Sequence, residues 1–275
     1  MSTIDIIRKS MSDMTEDEYF AMSEDRKVIT PENIGGLCDY PRLFRAMQDD
    51  RELRPELTES MYSGRAMNDF LTVTPEEFTK RYVVSDGPLN PKTGKPYLYG
   101  SKAYAEWRAT LDHSPVGTEQ FAMFGRMASA YNEHRFILDL SSGHELIRNA
   151  IIVAKVQDVD VACKIDNLFV REDSVFAIDV KTCDDLSLVP SAATRLRYRE
   201  QQALILRALK SAGVVGPNVQ VRIAAIEKGK LPRCGIFAVQ DMDKYDYAVC
   251  ETLCDYALSL KSGVFRTMYE APVTL

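Results

Sequence analysis

The sequence contains few of the residues that mark metal-binding modules, secreted proteins or membrane proteins. Its three histidines lack metal-ligand spacing and its six cysteines include no C-x-x-C pair, which argues against a zinc or iron–sulfur module. The cysteines are scattered and the first twenty residues are acidic, so reduced thiols are expected. No run approaches the roughly 18 apolar residues that a membrane span needs, and we expect a cytoplasmic protein.

The chain is acidic overall, but many of its basic residues lie in one segment. The chain has 34 basic and 40 acidic residues and a formal net charge of −6, which by itself disfavours a nucleic-acid partner. Between Leu186 and Arg233, however, nine basic residues accompany only two acidic ones. Such a segment is either a phosphate-binding surface or a solvated helix face, and charge alone does not choose between them.

The pattern of apolar residues predicts one α/β domain, without an internal repeat or a Gly/Ser/Pro linker that would divide it. Thr30-Pro31 and Thr74-Pro75 begin helices, with Thr as the N-cap and Pro at the first helical position. Beyond Gly143 the sequence changes to short β-rich runs separated by polar turns, followed by a helix, two more strands and a last helix. This order is typical of an α/β sandwich.

The predicted elements are helices at 30–47, from 74, at 101–111 and at 119–137, strands at 145–156, 159–166 and 175–181, a helix at 194–211, strands at 219–226 and 234–239, and a helix at 241–260. Residues 86–100 are predicted to form an exposed loop. Residues 29–275 are assigned to the domain. The acidic residues 1–28 are interpreted as a disordered tail or a docking segment.

The strongest chemical signal is the apolar run AIDVKT, which ends at Thr182. Side chains alternate between the two faces of a strand, so Asp179 and Lys181 project together on one side. An Asp suits Mg²⁺ as a ligand, and a Lys can position or activate the attacking water and offset developing negative charge. The pair therefore favours metal-assisted phosphodiester hydrolysis.

An Asp-x-Lys match is weak by itself, because about one is expected by chance in a chain of this length. Asp25-Arg26-Lys27 fits the same pattern, yet it lies in a polar segment without a predicted strand. The match at Asp179 gains weight from two acids upstream. Asp166 ends one predicted strand and Glu145 begins the strand before it, so a meander could bring three carboxylates together. Acids at strand ends that simply face solvent are the alternative.

Three short runs of sequence are similar to a known family of proteins: CKID ending at Asp166, IDVKT ending at Thr182, and YREQQA beginning at Tyr198. They resemble the signature of RecE-type (exodeoxyribonuclease VIII-like) phage and prophage exonucleases of the PD-(D/E)xK nuclease superfamily, in which a lone Asp, a D-[LV]-K-T strand and a Y-x-x-Q-x-A helix follow one another. The run SGRAMN ending at Asn68, followed by TPEEF, is similar to the family's G-x-x-x-H…P-E-E-F segment. The segment around Glu145 is similar to its G-x-x-E. The likeness covers roughly residues 29–272.

The resemblance implies an α/β restriction-endonuclease-like (PD-(D/E)xK) core, in which a mixed central sheet is flanked by helices, plus an N-terminal helical elaboration. It implies Mg²⁺ as the cofactor, with Mn²⁺ as a possible substitute. The roles that it implies are metal ligands Glu145, Asp166, Asp179 and the backbone carbonyl of Val180, the catalytic lysine Lys181, and the polar helix residue Gln201 behind the site.

Two positions depart from the family's pattern. The family's His in the N-terminal segment aligns with Asn68, and the Tyr expected four residues after Gln201 aligns with Ile205. Asn can hydrogen-bond a metal-bound water or a phosphate oxygen, but it cannot act as an imidazole acid or base. The metal core is intact and its periphery is altered, so turnover and substrate preference stay open.

This alignment locates the basic segment near the predicted metal site, because Arg195, Arg197 and Arg199 begin the helix that carries Gln201. We expect these arginines to hold phosphates of double-stranded DNA, with Asn68 as a further DNA contact. Phosphate contacts are independent of base sequence, which suits an enzyme that must cut at every nucleotide.

The expected activity is metal-dependent digestion of one strand of linear duplex DNA, which leaves single-stranded tails for recombination by strand annealing. By resemblance, the partners would be a single-strand annealing protein and further copies of the chain in a homo-oligomeric ring. An endonuclease of the same fold and a non-cleaving DNA-binding relative are the alternatives. Retention of the acids and of Lys181 argues against the non-cleaving relative, because acids around an unused metal site repel one another.

Overall fold

The computed structural model describes residues 3–54, 58–98, 100–214 and 218–265. Its helices are α1 (Thr3–Ser10), α2 (Glu16–Glu24), α3 (Ile34–Asp39), α4 (Pro41–Asp49), α5 (Glu59–Thr72), α6 (Pro75–Arg81), α7 (Lys102–Arg108), α8 (Thr118–Asn132), α9 (Arg135–Gly143), α10 (Val189–Arg195), α11 (Tyr198–Ser211) and α12 (Met242–Ser262). Its strands are β1 (Tyr82–Val84), β2 (Ser114–Val116), β3 (Glu145–Val156), β4 (Val159–Arg171), β5 (Ser174–Cys183), β6 (Val219–Glu227) and β7 (Cys234–Ala238). None of these helices combines the length and the apolarity that crossing a membrane would take.

A mixed sheet in the order β3-β4-β5-β6-β7 organises the described residues. β3, β4 and β5 form the antiparallel meander that the sequence predicts. β5 and β6 are parallel, and the long connection through α10 and α11 is what a parallel pair requires. β7 lies antiparallel to β6 at the edge, and β1 and β2 form a separate parallel pair.

Helices cover both faces of this sheet, which confirms the expected mixed α/β architecture. On one face the sheet packs against α11 and α12, with Leu204 and Leu253 fully buried. On the other it packs against α5 and α8, with Met67 and Phe124 buried to 1% exposure or less. Each such side chain contributes about 1.5–3 kcal/mol through burial. The sheet is therefore a rigid middle layer on which functional side chains can be fixed.

Three helices predicted as continuous are each broken in two. The predicted helix 30–47 begins only at Ile34, with Asn33 and not Thr30 as its N-cap. It divides into α3 and α4 because Pro41, at the first position of α4, cannot donate a backbone hydrogen bond to the preceding turn. The predicted helix 119–137 ends at Asn132, and the His134 side chain caps the next helix by accepting from the Phe136 N–H at 3.2 Å. The predicted helix 194–211 is interrupted at Arg197, whose φ of +56° is left-handed.

Other helix starts are confirmed in detail. Thr74 and Glu77 form a capping box around α6, with Pro75 in its first turn. The Ser101 side chain accepts from the Tyr104 N–H at 3.3 Å and begins α7. Short polar side chains placed before apolar runs thus fix where these helices begin.

Within residues 3–28, α1 and α2 are helical and pack on the sheet. Ile7 of α1 joins the core beneath α11, and Tyr19 of α2 is fully buried. α2 begins with a capping box between Thr15 and Glu18. Ile29 then bridges to Val161 of β4, which places this N-terminal segment against the central strands.

Candidate active site

Asp179 and Lys181 lie on β5 as the sequence predicts. Their side chains share one face of the strand, and Lys181 Nζ lies 2.8 Å from Asp179 Oδ1. The Asp179 side chain is 12% exposed and that of Lys181 is 25% exposed. Ile178 and Val180 are buried on the opposite face. The apolar neighbours therefore hold the charged pair in a partly dry setting.

Asp166 reaches this region because β4 is irregular at that residue. Cys163 and Ile165 contact the same apolar cluster as Leu168, although Ile165 and Leu168 are separated by three residues instead of the usual two. The register places Asn149 of β3 opposite Asp166, and Asn149 has a positive φ of 51°. This interruption of the alternation takes Asp166 out of the face that Ile165 and Leu168 share, and its carboxylate instead reaches the backbone of β5 at the Val180 N–H.

The Asp166 carboxylate is bonded to β5 and to α5. Its Oδ2 accepts a hydrogen bond from the Val180 N–H at 2.8 Å, and its Oδ1 accepts one from Nδ2 of Asn68 at 2.6 Å. Because Val180 follows Asp179 directly, the first of these bonds fixes Asp166 next to Asp179. Two carboxylates from adjacent strands are thus held together.

An amide side chain is bonded to each carboxylate. Nδ2 of Asn68 donates to Asp166, and Nε2 of Gln202 on α11 donates to Asp179 Oδ2 at 2.6 Å. The other amide atoms, Asn68 Oδ1 and Gln202 Oε1, are buried and have no hydrogen-bond partner among the described residues. Orphaned buried oxygens are costly, and each of these two belongs to an amide that is bonded to one of the carboxylates. Oxygen is the donor type that a hard cation prefers.

Asp179 and Lys181 each shift the pKa of the other. Burial raises the pKa of Asp179 to about 6 even though the Lys181 ammonium opposes the shift, and the nearby Asp166 carboxylate adds to it. Burial acts to lower the pKa of Lys181, but the Asp179 carboxylate outweighs it and raises that pKa above its ordinary value. The Asp179 carboxylate thus lies in a partly dry setting beside a second carboxylate, where a divalent cation would favour its charged form.

A second buried lysine lies beside Asp166. Lys164 Nζ is 3.4 Å from Asp166 Oδ1 and 2.9 Å from Glu16 Oε1 of α2, and its side chain is 4% exposed. Burial acts to lower the pKa of Lys164, but these two carboxylates raise it above its ordinary value, so the ammonium stays charged. The signal of this residue in the sequence is a Lys two residues before Asp166 within an apolar strand.

Tyr198 provides a ring beside Lys181 of β5. Lys181 Nζ lies 5.2 Å from the centroid of this half-buried ring, within the range of a cation–π contact. Tyr198 is the first residue of α11, so Tyr198 and Gln202 lie one helical turn apart. One face of α11 thus supports both members of the Asp179–Lys181 pair.

The candidate ligands are of the chemical type that Mg²⁺ prefers, but the structure brings together fewer carboxylates than the sequence predicts. Across the described stretches 3–54, 58–98, 100–214 and 218–265, no three His, Cys, Asp or Glu side chains gather closely enough to hold a metal by themselves. Mg²⁺ commonly takes one or two carboxylates and completes its octahedron with waters and phosphate oxygens. Asp166 and Asp179 satisfy that requirement.

The structure does not bring Glu145 to this cluster. Glu145 pairs in register with Val170, and its carboxylate lies 2.6 Å from the Arg8 guanidinium at the surface. β4 continues for five residues beyond Asp166, so the start of β3 meets the far end of β4. Four residues of strand, about 13 Å, separate Val170 from Asp166.

Gln201 and Val180 contact groups other than those that the resemblance implies. Gln201 Nε2 donates to the Leu196 carbonyl at 3.0 Å, and the neighbouring Gln202 takes the contact with Asp179. Val180 offers its N–H to Asp166, while the metal role of its carbonyl stays a prediction. Sequence reasoning missed Gln202, which is fully buried. The usable signal in the sequence was the pair of glutamines directly before the apolar run ALIL.

The three arginines expected to bind DNA differ in their surroundings. Arg197 is ion-paired with Asp39 and, at 2.9 Å, with Glu200. Arg199 donates to the Tyr245 hydroxyl at 2.8 Å. Arg195 is exposed at the end of α10 and forms no ion pair with any residue that the structure describes. Of the three, Arg195 is the best placed to contact a phosphate.

The fold and this cluster define a mixed α/β protein with a paired-carboxylate and lysine site on the middle strands of its sheet. Among solved structures, the chain is similar to a "putative exonuclease" from Eubacterium rectale, with a TM-score of 0.57 and 14% sequence identity over 92% of this chain and 88% of that one. At that identity the likeness concerns the fold. No protein-family profile and no curated protein matches the sequence.

Proposed function

We propose that this protein is a Mg²⁺-dependent exodeoxyribonuclease with a PD-(D/E)xK-type core, which degrades one strand of linear double-stranded DNA. The observation that carries the proposal is the juxtaposition of Asp166, Asp179 and Lys181 on adjacent strands. Similarity in fold to a protein described as an exonuclease supports it, as does the RecE-type signature in the sequence.

Each residue of the cluster has a distinct task. Asp166 and Asp179 would hold Mg²⁺, which supplies Lewis-acid stabilisation of the phosphate and orientation of a water. Lys181 places its ammonium where it can orient the attacking water and offset charge on the phosphate. Asn68 and Gln202 keep the two carboxylates in place through bonds of 2.6 Å each. The amides thus act as positioning residues.

Exonucleolytic cleavage is proposed over endonucleolytic cleavage on the RecE-type runs, since the carboxylates and lysine are common to both classes. The experiment is incubation of the purified chain with linear and with circular duplex DNA, with and without Mg²⁺. We expect loss of the linear form only, and only with Mg²⁺. Nicking of the circle would favour the endonuclease. Retention of DNA without cleavage of either form would favour the non-cleaving relative.

The proposed enzyme acts as a ring of identical subunits in the cytoplasm and supplies single-stranded tails to an annealing protein. A closed symmetric assembly is a common way to keep a processive enzyme on its substrate. Multi-angle light scattering with and without duplex DNA tests the ring. A monomer at micromolar concentration under both conditions would contradict it.

A further inference from the structure

The first turn of α2 places a buried carboxylate close to the candidate active site. Glu16 is the first residue of that helix, and its side chain is 9% exposed. The next two acids, Asp17 and Glu18, are exposed. A glutamate is rarely buried unless it is paired, so the partners of Glu16 indicate what the residue does.

Glu16 lies between two cations. Its Oε2 is paired with the guanidinium of Arg81, the last residue of α6, and its Oε1 lies 2.9 Å from Nζ of Lys164 on β4. Oε1 has no hydrogen-bond partner among the described residues, so the contact with Lys164 is an ion pair without hydrogen-bond geometry. Both side chains are buried, and the attraction between their charges is therefore little screened by solvent or salt.

Lys164 is shared between Glu16 and the candidate metal ligand Asp166. Its Nζ lies 3.4 Å from Asp166 Oδ1, which is longer than the 2.9 Å to Glu16 Oε1. The same Asp166 oxygen accepts the 2.6 Å hydrogen bond from Asn68. Glu16 is thus the closer carboxylate, and the Lys164 ammonium reaches Asp166 only through a long contact.

The Lys164 charge has few other partners within reach. Its side chain is 4% exposed, so the ammonium cannot turn to water unless the surrounding chain rearranges. Besides Glu16 and Asp166, the carboxylate of Asp69 acts on it electrostatically. Asp69 is already paired with Arg81 at 3.2 Å. If the charge of Glu16 is lost, Asp166 is therefore the carboxylate to which the ammonium turns.

An ammonium held tightly on Asp166 would compete with a metal ion for the same carboxylate. Mg²⁺ commonly takes only one or two carboxylates, and a carboxylate that is paired with a protein cation attracts a divalent cation less. The effect would fall on Asp166 directly, because its other oxygen is fixed by the Val180 N–H. The position of Glu16 thus affects how much negative charge the site offers.

The Glu16 carboxylate is fixed in place by the elements around it. Arg81 pairs with Asp69 of α5 as well as with Glu16, and so ties α2 to α5 and α6. α2 begins with a capping box, and Tyr19 in its first turns is fully buried. The distance between Glu16 and Lys164 is therefore set by packed elements.

We propose that Glu16 is a positioning residue for the candidate metal site, because it holds the ammonium of Lys164 away from Asp166 and so leaves that carboxylate available to Mg²⁺. The inference rests on the proposed function and assigns a residue of the acidic N-terminal segment to its metal site. Its signature is conditional: loss of the Glu16 charge weakens metal binding only while Lys164 is present.

The test is a double-mutant cycle in the full chain without DNA, read by Mn²⁺ binding in electron paramagnetic resonance. Glu16→Gln should weaken Mn²⁺ binding about tenfold or more, as for a residue that orients a metal ligand. Lys164→Met should bind Mn²⁺ at least as tightly as the parent, and so should the double variant, which removes both buried charges. Asp17→Asn, at an exposed position in the same turn, is the matched control and should bind as the parent does.

The rescue by Lys164→Met separates positioning from a purely structural role. Removal of a second buried charge does not repair a helix that has lost its packing, so a double variant as weak as Glu16→Gln would overturn the inference. Parent-like Mn²⁺ binding by Glu16→Gln would overturn it as well. If thermal denaturation shows that Glu16→Gln does not fold, Glu16→Asp replaces it. This shorter acid should weaken Mn²⁺ binding by less, and Lys164→Met should again restore it; an unchanged affinity would overturn the inference.

Cleavage assays distinguish failure of this inference from failure of the proposed function. If the Mn²⁺ affinities follow the expected order but the parent does not digest linear duplex DNA with Mg²⁺, the nuclease function is overturned and the positioning role stands. If the parent digests DNA and the expected order is not found, the positioning role is overturned and the nuclease function stands.

Discussion

The chain contains the same three-residue pattern twice, and the two copies differ in almost every physical respect. In each, the Asp carboxylate lies near the Lys two positions later, at 3.2 Å for Asp25–Lys27 and at 2.8 Å for Asp179–Lys181. Asp25 is surrounded by cations: Arg54 lies at 2.6 Å and Arg51 at 3.0 Å. Asp179 has one cation and a neighbouring carboxylate.

The pKa values of the two carboxyl groups record this difference. Hydrogen bonds from Arg54 and Lys27 lower the pKa of Asp25 to about 2. Burial raises the pKa of Asp179 to about 6. The carboxylate of Asp25 is paired with three protein cations, whereas that of Asp179 is paired with one, Lys181. The comparison teaches that an Asp-x-Lys pattern leaves its carboxylate available to a metal ion, as we propose for Asp179, only where the fold withholds other cations.

The largest expected difference in cleavage rate is between neutralising Asp179 and neutralising Asp25. Asp179→Asn keeps the shape of the side chain and removes the charge that a hard cation needs, so digestion of linear duplex DNA should fall by about 10³-fold or more. Asp25→Asn should leave the rate unchanged. The measurement is single-turnover digestion at saturating Mg²⁺, and near-parent cleavage by the Asp179 variant would remove the main support for this site.

The second largest difference in cleavage rate is expected between variants of the two lysines. Lys181→Met removes the ammonium beside the reacting phosphate and should cost about 10²-fold in rate, while Lys27→Met should cost nothing. Rates measured at several Mg²⁺ concentrations distinguish the tasks, because Lys181 is not a metal ligand in this account. Rescue of Lys181→Met by excess Mg²⁺ would place that residue in metal binding instead.

The adjacent glutamines give a finer comparison on α11. Gln202→Leu deletes the bond to Asp179 and should weaken the apparent Mg²⁺ affinity about tenfold or more, as loss of a residue that orients a metal ligand does. Gln201→Leu should change it little, since Gln201 bonds the Leu196 carbonyl. Mg²⁺ titrations of the cleavage rate give both values. The reverse ranking would restore the role that the family signature implies for Gln201.

The smallest effect concerns stability at the Asp25 motif. Because the pKa of Asp25 is depressed in the folded state, its ionised form stabilises the fold above the unfolded pKa near 4, and that stability is lost as the pH falls toward 2. Asp25→Asn should therefore lower Tm at pH 7 by roughly 1–3 °C. Thermal denaturation should show the gap narrowing below pH 4. A gap that widens on acidification would contradict the sign.

Much of the fold follows from local patterns in the sequence. Alternation along β5 predicts that Asp179 and Lys181 share a face, and the polar turns predict the meander that brings Asp166 to the adjacent strand. Strand length is harder to predict, because β4 continues through the apolar run after Asp166 and so carries Glu145 away. Where a strand ends is decided by pairing and burial in three dimensions rather than by propensity alone.

The choice between Gln201 and Gln202 shows a second limit. Both residues lie within about one turn of Tyr198, and adjacent helical residues point about 100° apart. The left-handed backbone at Arg197 sets the rotation with which α11 begins, and nothing in the local pattern predicts that conformation for an arginine. The contact with Asp179 therefore depends on a break that only the folded chain reveals.

Metal binding measured without DNA tests the central claim most directly. Titration of Mn²⁺ into the parent, Asp179→Asn and Asp25→Asn proteins, followed by electron paramagnetic resonance, reads the site whether or not the chain cleaves. We predict one site in the parent and in Asp25→Asn. In Asp179→Asn its affinity should fall by more than the roughly 10- to 100-fold expected for a residue that only orients a ligand. Equal Mn²⁺ binding by all three proteins would contradict the account.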